Sequence, residues 1–180
     1  MSSEFSKVWR LPGDIDTDNL APGAYMKLPV AQIAKHTLES IRAEFASSVK
    51  VGDVIVAGPN FGIGSSREQA AGVLVELGIR AVIAPSFSGL FFRNAFNLGL
   101  LLLTCEQAEL IGESELIQLK QETRQDALLG IQHTFWVISE KREKLKCSDI
   151  PDFLMQMIDH GGLINVLKFK MNHAHNIKAE

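Results

Sequence analysis

Cysteine is scarce. Cys105 and Cys147 are the only two in 180 residues, and neither belongs to a C-x-x-C pair. A zinc site or dithiol redox motif is therefore not expected, and reduced thiols in a cytosolic chain are the simplest reading of the two. Long apolar runs are also missing. The stretch "LGLLLLTC" at 98–105 has the length of a buried strand and falls far short of the ~20 residues a membrane helix needs. There is no excess of positive charge either: 18 Lys and Arg against 21 Asp and Glu give a net charge of −3. That argues against a general nucleic-acid binder, while leaving room for a local basic group aimed at a small anion. The first residues, "MSSEFSKVWRLPGDIDTDN", carry no basic region followed by an apolar run, so no secretory signal is expected and the cytoplasm is the expected location. No repeat and no low-complexity linker divides the chain. A single domain over 1–180 is expected, with a tail that frays from about residue 171.

What is present reads as an α/β protein. "KVWRLP" at 7–12 predicts a short strand, followed by a loop rich in Asp, Gly and Pro. Residues 30–49 show helical spacing at Ile33, Ala34, Leu38, Ile41 and Phe45. "GDVIVAG" at 52–58, "AVIAPS" at 81–86 and "LLLLTC" at 100–105 predict buried strands. Between them, Ala70, Val73, Leu74 and Leu77 share a helical face that ends at Gly78, and "GLFFRNAFNLG" at 89–99 suits a second helix. A β-α-β-α-β run of this kind predicts a parallel or mixed sheet with helices packed on it. A further strand is expected at 134–139, then helical residues with Leu154, Met157 and Ile158 on one face and Asp149 or Asp152 as caps.

The stretch "NFGIGSSREQA" at 60–70 sits at a strand-to-helix turn. Ser65 with Glu68 three residues later fits the S-x-x-E capping box. Such a turn offers unpaired backbone N–H groups and the positive end of a helix dipole, a natural anion site. Arg67 is disfavoured there on dipole grounds unless something negative lies near, and its fork matches a carboxylate. A dinucleotide fingerprint would need a third glycine where Arg67 stands, and a P-loop would need G-K-[ST]. The plain alternative is that Gly62 and Gly64 shape a turn, Ser65 caps it, and Arg67 is solvated. Upstream, Asp14, Asp16 and Asp18 alternate in "GDIDTDNLAPG", without the later Gly and Glu that a calcium loop requires. By itself this is an Asx-rich turn.

Taken together, "DIDTDNLAPG", "GDVIVAGPNFGIGSSREQA" and "AVIAPSFSGLFFRNAFNLGL", in that order, resemble the small subunits of the 3-isopropylmalate dehydratase family, the swivelling domain of the aconitase superfamily. The resemblance is close over about residues 8–105 and looser beyond. It implies a swivelling β/β/α domain of the aconitase C-terminal type, with a mixed sheet and flanking helices. It implies a hydro-lyase of leucine biosynthesis that interconverts 2- and 3-isopropylmalate by dehydration and rehydration. It also implies a large-subunit partner holding a four-iron, four-sulfur cluster through three cysteines. Two isolated cysteines agree with that division, so no metal and no cofactor is assigned to this chain. The chain alone is expected to be inactive and able to self-associate, with a small dicarboxylate as substrate and no nucleic acid or membrane as partner. Residue by residue, Ser65 becomes the base that removes a carbon-bound proton. Arg67 binds a substrate carboxylate, with Ser66 and Gly64 beside it, and Asp18 orients catalytic groups of the larger part.

This sequence departs from the family in places. Gln69 stands where many relatives have His, and it is expected to tune hydrogen bonding rather than abolish activity. Asn19 replaces an apolar residue or Gln. "AYMKLP" at 24–29 occupies the loop that meets the variable part of the substrate. Its neighbours Lys27 and Leu28 give a mixed signal between isopropylmalate and a longer tricarboxylate. Homoaconitase-like and alkylmalate or dimethylmalate dehydratase activities therefore stay open, as does a non-catalytic anion-binding module. Arg93 is expected at the surface, Ser86 as a helix cap, Cys105 in the core, and His173 and His175 in the frayed tail.

Overall fold

A computed structural model of the chain describes residues 5–140 and 144–177. At its centre lies one mixed sheet. Strands β1 (Ser6–Arg10), β2 (Val54–Val56), β3 (Ala81–Ala84) and β4 (Leu101–Thr104) are parallel neighbours in the order β4-β3-β2-β1. Beyond β1 the sheet turns antiparallel through β5 (Leu116–Asp126), β6 (Gly130–Ser139) and β7 (Lys144–Lys146), with β8 (Ile150–Pro151) also paired to β6. Every residue of β2 and β3 is buried, as expected for parallel strands covered on both faces. Helices α4 (Gln69–Glu76) and α5 (Gly89–Asn97) make the β2-β3 and β3-β4 crossovers and pack on each other. Helices α6 (Asp152–Asp159) and α7 (Leu163–Ile177) lie against α5. No described helix is long and apolar enough to cross a membrane.

The helix expected over 30–49 does not form. The chain makes α1 (Thr17–Leu20), α2 (Val30–Ile33), a 3₁₀ turn at Ala34–His36, and α3 (Phe45–Ser48). The break comes at Thr37, which is extended, and Leu38, whose φ is +60°. The Leu38 N–H donates to the Asn19 carbonyl at 2.8 Å instead of to its own helix. Ile33, Ala34, Leu38 and Phe45 are buried but Ile41 is 38% exposed, so the periodicity found most of the core residues, and a contact with α1 overrode the helix.

The long β5-β6 hairpin is longer than the strand expected at 134–139. Only Ile117 and Leu119 of β5 are buried, and from Lys120 on the strand is polar, which hides it from an apolar pattern. Its signal is the loop: Asp126 Oδ1 accepts from the N–H groups of Leu128 and Leu129 at 2.9 Å each, and Gly130 closes the turn at φ +73°. Neither Asp149 nor Asp152 caps α6, whose N-cap is Pro151. Both instead brace the hairpin. Asp149 pairs with Thr134 and Arg124, and Asp152 Oδ1 lies 3.0 Å from His133 Nε2. Helix α7 runs to Ile177. The side chains of His173 and His175 lie outside the described part of the chain.

The Thr134 hydrogen bond, and then Arg124, hold the Asp149 carboxyl below the usual carboxylate range; His133 and then Gln156 do so for Asp152. A carboxylate depressed by folding lends stability above its unfolded pKa of about 3.9, and that stability is lost as pH falls through the lower folded value. Stability should therefore decline below about pH 4. Asp149→Asn should lower stability at pH 7 and flatten the acid slope. Urea unfolding at pH 7 and pH 3 measures both.

Candidate functional site

The segment after β2 passes over the carboxyl ends of the parallel strands, where ligands of open α/β sheets gather. Two single parallel bridges hold it, Phe61 to Phe87 on one side and Asp16 to Ile63 on the other. The Gly62 N–H donates to the Ile15 carbonyl at 2.7 Å, and the Thr17 N–H to the Ile63 carbonyl at 2.8 Å. On the other side the Phe61 N–H donates to the Ser86 carbonyl at 3.1 Å and the Asn60 N–H to Ser86 Oγ at 2.9 Å. Ser86 is thus a tie between loops and not the cap of α5, whose N-cap is Ser88.

Both glycines of the segment are required by contact as well as by backbone. Gly62 has φ +79°, and a Cβ there would lie 2.2 Å from Phe91 Cγ. Gly64 has φ +103°, and a Cβ there would come within 3.0 Å of Thr17 Oγ1. Only glycine meets both demands at low cost.

The capping box expected at Ser65 and Glu68 is not formed. Glu68 stands at the N-cap of α4 in helical conformation with no side-chain cap. The box lies instead at Asp16 and Asn19: Asp16 Oδ1 accepts from the Asn19 N–H at 2.6 Å, and Asn19 Oδ1 accepts from the Asp16 N–H at 3.0 Å. That gives the unusual Asn19 a function, since an apolar residue could not close the box. Ser65 turns to Thr17. Its N–H donates to Thr17 Oγ1 at 3.0 Å, and the two hydroxyl oxygens are 3.3 Å apart.

Arg67 finds the negative partner its position demands. It forms an ion pair with Asp18 and also donates from Nη1 to the Ala21 carbonyl at 3.1 Å. Asp18 therefore binds within this chain. The backbone N–H groups of residues 66–69 find no acceptor among the described residues. They stand free at the start of α4, where the helix dipole favours negative charge. Gly64, Ser65 and Ser66 are exposed.

Asn94 is a site residue that the sequence did not flag. It is 6% exposed on α5, and its Nδ2 donates to the Ser66 carbonyl at 3.1 Å. The available signal was a polar residue on the buried face with Phe91 and Ala95. Arg93 beside it is exposed, as expected. Lys27 and Leu28 are exposed in the next loop, and no hydrogen bond or ion pair joins them to Ser65, Ser66 or Arg67 among the described residues. The loop begins at the ion pair, however, because a Cβ on Gly23 would lie 3.4 Å from Asp18 Oδ1. Tyr25 in this loop stacks on His36 with ring centres 3.7 Å apart.

A cleft of about 240 Å³ opens beside α4, lined by Val30, Glu68, Gln69, Gly72 and Leu98. A larger hollow of about 500 Å³, lined by residues including Thr104, Lys146 and Asp149, contains none of the expected site residues. Cys105 and Cys147 are free, buried thiols, and the influence of each on the other lowers the pKa of Cys105 and raises that of Cys147. They are two donors in the core, a poor match for an iron–sulfur cluster. No group of three or more His, Cys, Asp or Glu able to hold a metal occurs among the described residues.

Residues 18–108 match the family model described as the aconitase C-terminal domain. The chain is 39% identical over 163 residues to a 3-isopropylmalate dehydratase small subunit of Archaeoglobus fulgidus, covering 90% of this chain and 95% of the relative. It is 38% identical over 160 residues to the methanogen homoaconitase small subunit of Methanothermobacter thermautotrophicus, covering 88% and 87% of the two chains. The solved structure of 3-isopropylmalate dehydratase from Methanocaldococcus jannaschii superposes with a TM-score of 0.81 at 32% identity, covering 96% of this chain and 97% of that one.

Gly62→Ala should cost about 2–4 kcal/mol, combining a left-handed backbone with a clash against Phe91. Asn94→Ala should cost about 1–3 kcal/mol by leaving the Ser66 carbonyl without its partner. Thermal and urea unfolding of the two variants checks both.

Proposed function

This chain belongs to the aconitase C-terminal domain family, and we propose that it is the small subunit of a heteromeric hydro-lyase of the 3-isopropylmalate dehydratase type. In this reading it serves leucine biosynthesis and acts only with a large subunit. The observation that carries the proposal is the group at residues 64–69. A paired arginine, two exposed serines and a row of backbone N–H groups with no acceptor among the described residues lie together on a loop that is locked from behind.

Arg67 and the free amides of 66–69 receive a substrate carboxylate, with the Ser66 hydroxyl and the glycine backbone at 64 beside them. Ser65 takes the proton from the carbon next to the hydroxyl-bearing carbon. The C–H electron pair becomes the new double bond as the hydroxyl departs with its bonding pair; that hydroxide and the proton now on Ser65 together amount to one water lost, and readdition of water with opposite regiochemistry gives the isomer. A serine is a poor base at its ordinary pKa, so its alkoxide must be stabilised by neighbouring donors and positive charge. Asp18 holds Arg67 in place until the substrate carboxylate arrives. The four-iron, four-sulfur cluster, which supplies Lewis acidity toward the departing hydroxyl, belongs in this reading to the large subunit.

A second reading, a homoaconitase-like small subunit, is favoured by Lys27. It is exposed and makes no ion pair among the described residues, in a loop that starts at the Arg67–Asp18 pair. A cation there can meet a distal carboxylate that isopropylmalate lacks.

The isolated chain should be inactive, and addition of the large subunit should restore turnover. Turnover of isopropylmalate by this chain alone would reject the proposal. Ser65→Ala should reduce kcat by at least about a hundredfold while the subunits still assemble. A non-catalytic anion-binding module predicts no such loss. Lys27→Ala should impair a tricarboxylate more than isopropylmalate if Lys27 reads the distal group, and equal effects on both would remove that role.

A further inference from the structure

We propose that Thr17 is the positioning residue of Ser65, a hydrogen-bond donor that the reacting serine needs once its own proton is gone; this rests on the reading of Ser65 as the base. Thr17 is 1% exposed, so water has little access to its hydroxyl. Its place is fixed from several directions. Its N–H is bonded to the Ile63 carbonyl at 2.8 Å, it begins α1, and the Asp16–Asn19 box closes the turn before it. Its oxygen accepts the Ser65 N–H at 3.0 Å and lies 3.3 Å from Ser65 Oγ.

The direction of the second bond follows from chemistry. Between two neutral hydroxyls either oxygen can donate. When Ser65 has lost its proton it has only acceptor sites, and the hydrogen of Thr17 is the one left to share. The bond therefore strengthens as charge appears on Ser65 Oγ, because a hydrogen bond to an ionised acceptor is shorter and stronger than a neutral one. The donor is held in place before the reaction, as electrostatic stabilisation requires. Meanwhile the accepted N–H fixes the serine backbone on the same oxygen. Gly64 acquires a reason beyond its turn: any Cβ there would come within 3.0 Å of Thr17 Oγ1 and push the two hydroxyls apart.

The enzyme reconstituted with its large subunit tests this, with Thr17→Val, Thr17→Ser and Ser65→Ala assayed together. Thr17→Val keeps the side-chain volume and removes the hydroxyl. It should lower kcat by about 10–100-fold, the range for a hydrogen bond to a charged group. KM should stay within about twofold, because substrate carboxylates are held by Arg67. The limb of the pH–rate profile that reports base ionisation should move to higher pH, since the alkoxide has lost a donor. Thr17→Ser should restore both kcat and the limb. If Thr17→Val does not assemble, Thr17→Cys, with its weak S–H donor, makes the same comparison.

An unchanged kcat in the valine variant would overturn the inference. So would a loss that serine fails to restore, or an unmoved pH limb, because each would mark Thr17 as packing alone. Ser65→Ala separates the two levels. If it is inactive while Thr17→Val is normal, only the role of Thr17 fails. If it turns over freely, the reading of Ser65 as base fails first.

Discussion

The parallel bridge between residues 16 and 63 holds the site together. It is a single point of pairing, outside any strand, where the loop after β1 lies along the loop after β2. The Gly62 N–H bond to Ile15 and the Thr17 N–H bond to Ile63 flank it at 2.7 and 2.8 Å. Because of this pairing, Ser65 lies against Thr17, and Arg67 reaches Asp18 and the Ala21 carbonyl. The parallel sheet beneath supplies rigidity, since β2 and β3 are buried throughout and cannot slide without exposing apolar area. Rigid strands thus position exposed loops, which is the usual division of labour between scaffold and site.

Electrostatics in the group follow from how exposed each partner is. The Asp18 side chain is 62% exposed and that of Arg67 25%. An ion pair so open to solvent is worth about 0–1 kcal/mol, little enough for an incoming carboxylate to replace or share it. The pair neutralises a cation that the α4 dipole disfavours, and it keeps the guanidinium at the mouth of the loop instead of loose in solvent. The amides of 66–69 have no acceptor among the described residues, at a helix start whose dipole favours negative charge.

Asn94 and Thr17 make a second point. Both are buried polar residues, each bonded to the segment it supports, one at the Ser66 carbonyl and one at the Ser65 amide. Adjacent residues of the loop are thereby held from α5 and from α1. An exposed loop segment held from both sides gains some of the precision of a site on a helix or strand.

Much of this was legible in the sequence. Short β-branched runs between glycines marked the parallel strands, and "NFGIGSSREQA" and "GDIDTDNLAPG" marked the two loops that meet. These signals are local, because strand and turn preferences are set within a few residues. Other features depended on residues distant in the chain. Ser65 was expected to cap its own helix, but its partner is 48 positions away; Arg67 finds its counter-charge 49 positions away. The helix expected through Leu38 was broken by the carbonyl of Asn19, and the polar β5 was made a strand by β6. The sequence determined where the chain turns and which polar residues its two meeting loops present. Tertiary structure alone decided which hydroxyl, carbonyl and carboxylate each of them meets, because hydrogen bonds and ion pairs depend on distance in space and not on spacing along the chain.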